Sequence, residues 1–459
     1  MKKGSITITL SFLVVILLSL FLTILNGIQM RAIEMRTSMI LEMGMDSIFA
    51  EYNRELLEQY NLFYIDASYG SENRGIDAVS IHLRSMMEKN IRVPESLSSA
   101  DLIGFTVEDI EPISYHIASD FDGYSVREQA ISYQKDTTGI SVIEYILNEF
   151  EVMKYFNLDS RNIKEEQRQL EAQASTSLPS EYGFQINHML TFFGNELGTI
   201  SEVELDLTQS TFYRMRDIGV YKEADIPTSS LSVVDMAEEI LFQEYLFDHC
   251  SYYGNELDKS HLKYQMEYII AGGSSDAINL NAILTALFAI REVSNFIHLI
   301  GDQEKTNIVK VVSTSVAAVL FIPSSEPILR LLLQGIWATY ESSLDIKALI
   351  KGEKVPLLKS DATWKSDFGE GLSFSPVSNN QNDSTGLSYK EYLHLLLILT
   401  NSDEKVYRFM DVVELDIQQT EYNEKFLMDS CIDYIEMQVD FLSSIGYRRT
   451  WLKKYQYGI

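Results

Sequence analysis

The side chains that commonly carry out catalysis are scattered along this sequence and form no recognised motif. The sequence lacks the zinc-protease pattern His-Glu-x-x-His, the Gly-x-Ser-x-Gly turn of serine hydrolases and the phosphate-binding loop of nucleotide hydrolases. Cysteine and histidine residues with zinc-site spacing are also absent. The seven histidines are scattered, and a lone histidine is usually a structural or surface residue. The sequence therefore predicts no enzyme activity, no cofactor and no metal site.

Two acidic or glycine-rich segments leave a chemical interpretation open. Residues 272–276 (Gly-Gly-Ser-Ser-Asp) are suited to an anion-binding turn at a helix start, but a plain turn before a helix needs the same residue types. Asp411, Glu414 and Asp416 could hold a cation near the end of a predicted helix, or form a solvated acidic face. We favour the plain turn and the solvated face.

The two cysteines, Cys250 and Cys431, are too few for a disulfide scaffold. Outside the cell they could form one long-range disulfide. Two buried thiols are an equally acceptable prediction, because a thiol packs as a small hydrophobic side chain.

The composition is that of an acidic protein with a buried core. Of 459 residues, 46% are hydrophobic and 22% are charged, and the net charge is −29. So negative a chain is repelled by nucleic-acid phosphates, and a basic stripe is lacking. The charge therefore indicates a solvated surface and excludes nucleic acid as a partner. Loose binding of divalent cations outside the cell is the less favoured alternative.

A membrane-spanning helix is predicted over residues 8–28, since 27 consecutive residues from Gly4 to Met30 carry no formal charge. About 20 helical residues cross a bilayer core. A cleaved signal has a shorter apolar region and a small-x-small cleavage site, which is not evident after this run. We therefore predict an uncleaved single-pass anchor. Its central residues are Leu10, Phe12, Leu13, Val14, Val15, Ile16, Leu17, Leu18, Leu20, Phe21 and Leu22.

The orientation of this anchor follows from the charges at its short end. Lys2, Lys3 and the terminal amine are expected to stay in the cytoplasm, so that residues 1–7 form a cytoplasmic tail. Arg31 and Arg36 on the other side weaken the contrast. We predict a cell-membrane protein with its N-terminus inside and residues 61–459 outside.

The helix is predicted to continue beyond the membrane as a stalk over residues 29–60. Ala32, Met35, Met39 and Met43 recur at helical spacing and form an apolar stripe. The stripe could meet a partner helix, which includes a homo-oligomer formed through the N-terminal helix. Alternatively, it packs on the chain's own globular part.

The outer region is predicted to be α+β, with helices packed on a small sheet from distant segments. A possible insertion covers residues 175–230, and 351–388 is predicted as a loop. The predicted strands are 105–118, 263–271 and 428–442. The predicted helices are 76–89, 141–174, 231–253, 276–300, 308–322, 328–350, 389–400 and 403–419.

Two resemblances add a biological context. Residues 3–8 (Lys-Gly-Ser-Ile-Thr-Ile) resemble the start of TadE/TadG-like pseudopilins, which usually carry a glutamate where Thr9 stands here. Prepilin-type processing is therefore not expected, and the mature chain should keep Met1 to Gly4. Segments 52–63, 262–272 and 389–393 resemble an uncharacterised family of membrane-anchored proteins found near Tad/Flp-type pilus genes of Gram-positive bacteria.

These resemblances imply an accessory part in a surface pilus or secretion apparatus, and they bring no catalytic residues. The prediction is a membrane-anchored structural or assembly component that acts through contacts with other pilus or secretion-apparatus proteins. The alternative is a cell-surface enzyme or ligand-binding protein whose site forms only in the fold.

Overall fold

The computed structural model describes residues 2–71, 75–92, 104–135, 140–155, 214–220, 236–319, 323–369, 373–377 and 386–457. The chain divides into two compact units. Unit 1 contains Met1–Ser132, Met215–Val233 and Val413–Ile459, and unit 2 contains Tyr133–Arg214 and Val234–Val412. Helices with a small antiparallel sheet from distant segments confirm the α+β class.

Unit 1 holds the long first helix and the main sheet. Its described elements are α1 (Lys2–Phe49), α2 (Arg54–Tyr60), β1 (Ile65–Asp66), α3 (Ile76–Ile91), β2 (Phe105–Ile117), the start of α4 (Asp120–Lys135), the end of α12 (Ser402–Ile417), β5 (Cys431–Ser443) and β6 (Arg448–Gln456). The strand β5 pairs antiparallel with β1, β2 and β6.

One hydrophobic core joins α1, α3 and one face of the sheet. Alternate β5 residues such as Ile435, Met437 and Val439 point into it, as the pleat of a strand requires. A Cβ on Gly44 of α1 would lie 2.9 Å from Leu83 Cδ1, so the lack of a side chain lets α1 and α3 approach closely.

The last strand is fastened to α1 by hydrogen bonds. Trp451 Nε1 donates to Thr37 Oγ1 over 3.0 Å, and the Tyr457 hydroxyl donates to Phe49 O over 2.5 Å. The predicted stalk is therefore partly a wall of unit 1. It is also interrupted: α1 ends at Phe49 and α2 begins at Arg54.

The prediction of a strand over 263–271 is wrong. This segment contains α7 (Gln265–Ala271), and β6 takes the expected third place in the sheet. Gln265 and Glu267 of this helix are both buried. Their side chains accept hydrogen bonds from the main-chain N–H groups of Ser251 and Tyr253, and this polar burial suits a short helix as well as a strand.

Unit 2 is mainly helical. Its described elements are the end of α4, α5 (Ile140–Tyr155), α6 (Met236–His249), α7, α8 (Asp276–Gly301), α9 (Gln303–Val319), α10 (Glu326–Ile350), β3 (Ser366–Gly369), β4 (Ser373–Pro376), α11 (Tyr389–Leu399) and the start of α12. Residues 156–174 of the predicted helix 141–174 lie outside the described residues, as do 175–213 and 221–230 of the predicted insertion.

The predicted loop 351–388 contains the hairpin β3–β4, which completes an aromatic cluster. Trp337 packs against Phe368 with ring centroids 5.5 Å apart, and its Nε1 donates to Ser366 Oγ over 2.8 Å. The hairpin therefore covers one side of α10.

A network of charged side chains is fully buried in unit 2. Arg291 Nε donates to Asp345 Oδ2 over 3.1 Å. Lys359 Nζ donates to Glu341 Oε1 over 2.6 Å and to Asp345 Oδ1 over 2.7 Å. Arg291 Nη1 also donates to the main-chain oxygen of Leu357. These bonds hold α8, α10 and the segment after α10 together.

Candidate functional site

A cavity of about 330 Å³ in unit 1 is the strongest candidate for a functional site among the described residues. This volume lies at the lower end of the range of small-molecule pockets. Its walls come from the end of β2, the start of α4, the start of β5 and the end of β6. The lining residues are His116, Ile117, Asp120, Phe121, Tyr124, Ser125, Asp433, Tyr434, Lys454 and Gln456.

A β-bulge in β5 places Asp433 on the cavity wall. Ile117 of β2 pairs with Ile432, whereas the preceding His116 pairs with Tyr434, so that Asp433 is an extra residue in β5. The bulge reverses the alternation of the strand, because Ile432 before it and Ile435 after it both belong to the hydrophobic core. Bulges often redirect a side chain beside a functional site.

A left-handed turn at the start of α4 forms the opposite wall. Phe121 (φ 53°, ψ 46°), Asp122 (φ 59°, ψ 34°) and Gly123 (φ 73°, ψ 28°) are consecutive in this region. Each of the two residues with side chains costs roughly 1–2 kcal/mol there. Such strain persists where the surroundings fix it, which is frequent at binding sites.

Asp120 supplies part of that fixation. Its Oδ2 accepts a hydrogen bond from Ile117 N and its Oδ1 from Gly219 N, both over 2.9 Å. A Cβ on Gly219 would lie 2.6 Å from the main-chain oxygen of Tyr115, so only glycine allows this approach. The described segment 214–220 is thus fitted against β2, where Tyr115 N also donates to Val220 O over 2.5 Å.

The buried carboxyl of Asp433 is the main electrostatic feature of the cavity. Its side chain is 2% exposed, and Oδ1 has no hydrogen-bond partner among the described residues. Burial raises the pKa of Asp433 to about 7, and the negative charge of Asp120 adds to this rise. A hydrogen bond from Ser125 acts in the opposite direction and lowers the pKa. Asp433 can therefore gain or lose a proton near neutral pH.

The charge of Asp120 is also disfavoured. Burial raises the pKa of Asp120, although its two main-chain hydrogen bonds oppose the shift. Ser125 Oγ is within 2.6 Å of the Tyr64 hydroxyl, which links the cavity wall to the segment before β1.

Aromatic rings line the remainder of the cavity. The His116 ring stacks on Tyr434 with centroids 4.6 Å apart and meets the Phe121 ring edge-on at 5.6 Å. The Tyr434 hydroxyl is buried without a hydrogen-bond partner among the described residues. Carboxyl groups beside ring faces can bind a cation or a hydrogen-bond donor with an apolar body.

Comparison with known protein families gives one match. Residues 182–443, more than half of the chain, match DUF5702, a family of unknown function. The chain belongs to the DUF5702 family. Neither a curated protein nor a solved structure matches it.

The DUF5702 segment contributes one side of the cavity. Asp433 and Tyr434 lie within the matched residues, whereas the β2, α4 and β6 walls lie outside them. The described piece 214–220, which bonds to Asp120, also belongs to the matched segment. The cavity therefore needs both the family segment and the chain on either side of it.

The predicted anchor residues of this DUF5702 chain form an uncovered helix. The eleven residues from Leu10 to Leu22 named above are between 51% and 66% exposed. The hydroxyl groups of Ser19 and Thr23 donate to the main-chain oxygens of Ile16 and Ser19, which satisfies them inside an apolar helix. Lys2 and Lys3 lie in the first turn of α1.

Two helices have the length and apolar composition to cross a membrane. The first is the uncovered part of α1, which fits a membrane anchor or a signal sequence. The second is α8, but over half of the residues in its most apolar stretch are buried in unit 2, as in the core helix of a soluble protein.

The methionine stripe of α1 is exposed. Met35, Met39 and Met43 are 66%, 53% and 49% exposed, whereas Ile33 and Ile40 on another face are buried in unit 1. The alternative that this stripe packs on the chain's own globular part is therefore wrong for these three methionines. It is correct further along the same helical pattern, where Ile48 and Leu56 are buried. The stripe remains available to a partner.

Cys250 and Cys431 are both buried thiols, in unit 2 and unit 1 respectively. This is the second of the two arrangements that the sequence allowed. Burial raises the pKa of the Cys431 thiol well above its usual range, so this thiol is unreactive.

The other segments with a chemical interpretation have structural roles. Ser275 caps α8 by accepting a hydrogen bond from Ile278 N, so residues 272–276 form the plain turn. Asp411 accepts a hydrogen bond from Tyr268 in unit 2. In unit 1, Glu414 pairs with Arg216 and Asp416 accepts from Tyr60. The prediction of a solvated acidic face is wrong, because all three carboxylates are buried.

One group among the described residues has the spacing of a metal site. Ligand atoms of His298, Asp302 and Asp361 in unit 2 lie within 4.8 Å of one another. Lys305 Nζ donates to both carboxylates, with a distance of 2.7 Å to Asp361 Oδ1. A built-in ammonium group thus occupies the position that a metal ion would need.

The sequence did not predict that these residues form a cavity. Its patterns place Asp433 in a strand and leave His116 among the scattered histidines, and they do not predict α4. One signal was present: Asp433 is a carboxyl in the apolar run Cys431-Ile432-Asp433-Tyr434-Ile435. A charge in such a strand needs a partner or a function.

Proposed function

We propose that this DUF5702 protein is a single-pass membrane protein whose two units lie outside the cell and act through contacts with other proteins of a pilus or secretion apparatus. The observation that carries the proposal is α1 itself. It is one helix, apolar and uncovered at its start and built into the core of unit 1 at its end.

A continuous helix makes the anchor part of the folded unit. Residues 8–28 match the span of a bilayer, and α1 continues without a break to Phe49. Gly44, Thr37 and Phe49 then fix this helix to α3 and β6. A simple tether would need no such contacts, whereas an assembly protein benefits from a fixed orientation above the membrane.

The topology and the apparatus are inferred from the N-terminus. Lys2 and Lys3 favour retention of the short end in the cytoplasm. The resemblance of residues 3–8 to TadE/TadG-like pseudopilins, with that of segments 52–63, 262–272 and 389–393 to proteins of pilus loci, supports a pilus-related apparatus.

A second copy of this chain is the partner that the exposed face of α1 fits best. Copies anchored by the same helix are parallel and at the same height in the membrane. Apolar residues on this face also continue across the membrane boundary. They are spaced alternately three and four residues apart, which is the spacing of residues at the contact between two paired helices. These positions are Leu18, Phe21, Leu25, Ile28, Ala32, Met35 and Met39.

The assembly role is tested by recovering the tagged full-length protein from its native cells after crosslinking. We expect proteins of a pilus or secretion apparatus to be enriched with it, and recovery of none of them contradicts the role.

The topology and the uncleaved anchor have tests of their own. Externally added protease should remove units 1 and 2 from intact protoplasts. N-terminal sequencing should begin within Met1–Gly4, and a start at Ser5 would contradict the uncleaved anchor.

The second copy is tested by disulfide trapping. Met39→Cys should form covalent dimers in membranes under mild oxidation, because Met39 lies on the proposed seam. Ile81→Cys is the matched control, since Ile81 is a still more exposed residue, on α3 away from that seam. Equal dimer yields from the two variants would remove the second copy from the proposal.

A further inference from the structure

The cavity in unit 1 has the properties of a binding site that the assembly role does not use. An oxygen of Asp433 is buried on its wall without a hydrogen-bond partner among the described residues. An unsatisfied buried polar group costs about 1–3 kcal/mol, and for a charged group the cost is higher. A ligand that donates a hydrogen bond to this oxygen recovers that free energy.

The charges of the lining residues indicate the kind of donor. Asp433 and Asp120 bring two carboxyls to the cavity, while Lys454 is the one lysine or arginine of its lining and lies opposite Glu436 in the β5–β6 pairing. A cationic donor therefore reduces the repulsion between Asp433 and Asp120, which an anionic or neutral ligand leaves in place.

The aromatic walls suit the same ligand. The rings of Phe121, Tyr124 and Tyr434 belong to the lining, and aromatic rings attract a cation and also pack against an alkyl chain. The left-handed turn at Phe121 fixes one of these rings in place. We propose that the cavity binds a small organic ammonium ion, with Asp433 Oδ1 as the hydrogen-bond acceptor for its N–H group. This site is independent of the assembly function.

The direct test measures binding of n-butylammonium to the full-length protein in detergent by calorimetry. 1-Butanol and butyrate serve as the neutral and anionic probes of similar size. We expect n-butylammonium to bind at least tenfold more tightly than either, since one charge-assisted hydrogen bond is worth about that factor. Equal binding of the three probes, tighter binding of butyrate, or binding of none of them overturns the proposal.

Two variants locate the binding. Asp433→Asn should weaken n-butylammonium binding at least tenfold. Asp440→Asn removes the same charge from the same strand outside the cavity, where Asp440 accepts a hydrogen bond from Thr450, and should leave the affinity unchanged. If both variants bind like the unaltered protein, Asp433 is not the acceptor and the proposal fails.

The unaltered protein gives a second test, which holds even if the variants fold poorly. Affinity for n-butylammonium should rise about tenfold between pH 6 and pH 8, because the carboxyl of Asp433 ionises in this interval. The titratable and charged groups that face Asp433 across the cavity are Asp120 of α4, whose pKa burial raises, His116 of β2 and Lys454 of β6. A flat or falling profile contradicts the proposal.

A free amine and a lysine side chain of another protein present the same ammonium group. A lysine-centred pentapeptide separates the two sources. Tighter binding of n-butylammonium identifies a free amine, whereas tighter binding of the peptide identifies a lysine side chain, and either result supports the ammonium site. Failure of both to bind overturns it.

Discussion

Buried charged side chains occur in both units, and a charged cluster in unit 2 is compensated differently from Asp433 in unit 1. In unit 2, Arg291 and Lys359 face Asp345 and Glu341, so that two cations meet two anions. In unit 1, Asp433 lines a cavity, and its Oδ1 has no hydrogen-bond partner among the described residues.

The pKa shifts show the consequence of this difference. Burial alone raises the pKa of Asp345, but Arg291 and Lys359 reverse the shift and hold it below its usual value. Burial also raises the pKa of Asp433, and no cation reverses it. A compensated network stabilises a fold in one protonation state, whereas an uncompensated carboxyl beside a cavity can respond to a ligand or to pH.

Removing one buried cation from unit 2 should produce the largest change in stability. Arg291→Met leaves Asp345 short of a partner and removes the hydrogen bonds to Pro356 and Leu357. We expect the free energy of unfolding of unit 2 to fall by about 3–5 kcal/mol. Denaturant unfolding of the full-length protein in detergent measures it, with hydrogen exchange of α8 and α10 reporting the affected unit.

Arg330→Met is the control for this variant. Arg330 pairs with Glu326 over 3.9 Å near the surface of unit 2, and a pair of this kind contributes about 0–1 kcal/mol. The same change in charge and size should therefore have little effect. Equal losses from the two variants would show that the buried network is not a special source of stability.

Neutralising the uncompensated carboxyl should have an effect of similar size and opposite sign. The pKa of Asp433 is raised from 3.8 to about 7 in the fold, so its contribution to stability is present below pH 4 and is lost as the pH rises through 7. Asp433→Asn should remove this loss. Relative to the unaltered protein, the variant should gain about 4 kcal/mol between pH 4 and pH 8.

Unfolding curves at the two pH values measure this gain, with Asp440→Asn as the control. Asp440 is bonded to Thr450 outside the cavity, so its variant should show no such pH-dependent gain. A gain for Asp433→Asn that is equal at both pH values would mean that the carboxyl is compensated after all.

The difference between the two units was only partly visible in the sequence. Helix periodicity located α8 and α11, and the structure shows Ser275 and Ser388 accepting hydrogen bonds as the residues that cap their N-termini. The alternation of apolar residues located β2 and β5. These signals are local, and they predict elements whose apolar residues face one core.

The cavity and the sheet's last strand depend on contacts that local patterns do not encode. β6 carries charged residues such as Arg448 and Lys454 at alternating exposed positions, so its sequence shows no periodic apolar face. The bulge at Asp433 is defined only by its pairing with β2. The left-handed turn at Phe121 is held by Asp120 and by Gly219, which is distant in sequence.

The close fit around Asp120 gives a third prediction. Gly219→Ala places a methyl group against Asp120 and the main-chain oxygen of Tyr115. We expect a loss of about 1–2 kcal/mol and faster hydrogen exchange in 214–220 and at the start of α4. Gly335→Ala is the control, because its Cβ would meet no atom within 4 Å in α10 and alanine favours a helix. Unchanged exchange in 214–220 would show that the segment accommodates the methyl group.

The smallest effect on stability is expected at Lys305, where unit 2 again supplies its own cation. Its two bonds to Asp302 and Asp361 are partly exposed, so Lys305→Ala should lower the free energy of unfolding by only about 1 kcal/mol.

The same variant should open a metal site. Burial, and then Lys305, lower the pKa of His298, so its ring is neutral and able to bind a metal at pH 7.5. Without the ammonium group, His298, Asp302 and Asp361 form a three-ligand group with the spacing that Zn²⁺ needs.

Lys305→Ala should therefore bind Zn²⁺ at pH 7.5 at least tenfold more tightly than the unaltered protein, as measured by calorimetry. Lys310→Ala removes the same charge from α9 outside this group and is the control. If the unaltered protein binds Zn²⁺ as tightly as Lys305→Ala, the ammonium group does not exclude the metal. The compensated charges of these groups in unit 2 would then be as open to a ligand as Asp433 of unit 1, and compensation would not separate structural from functional charge.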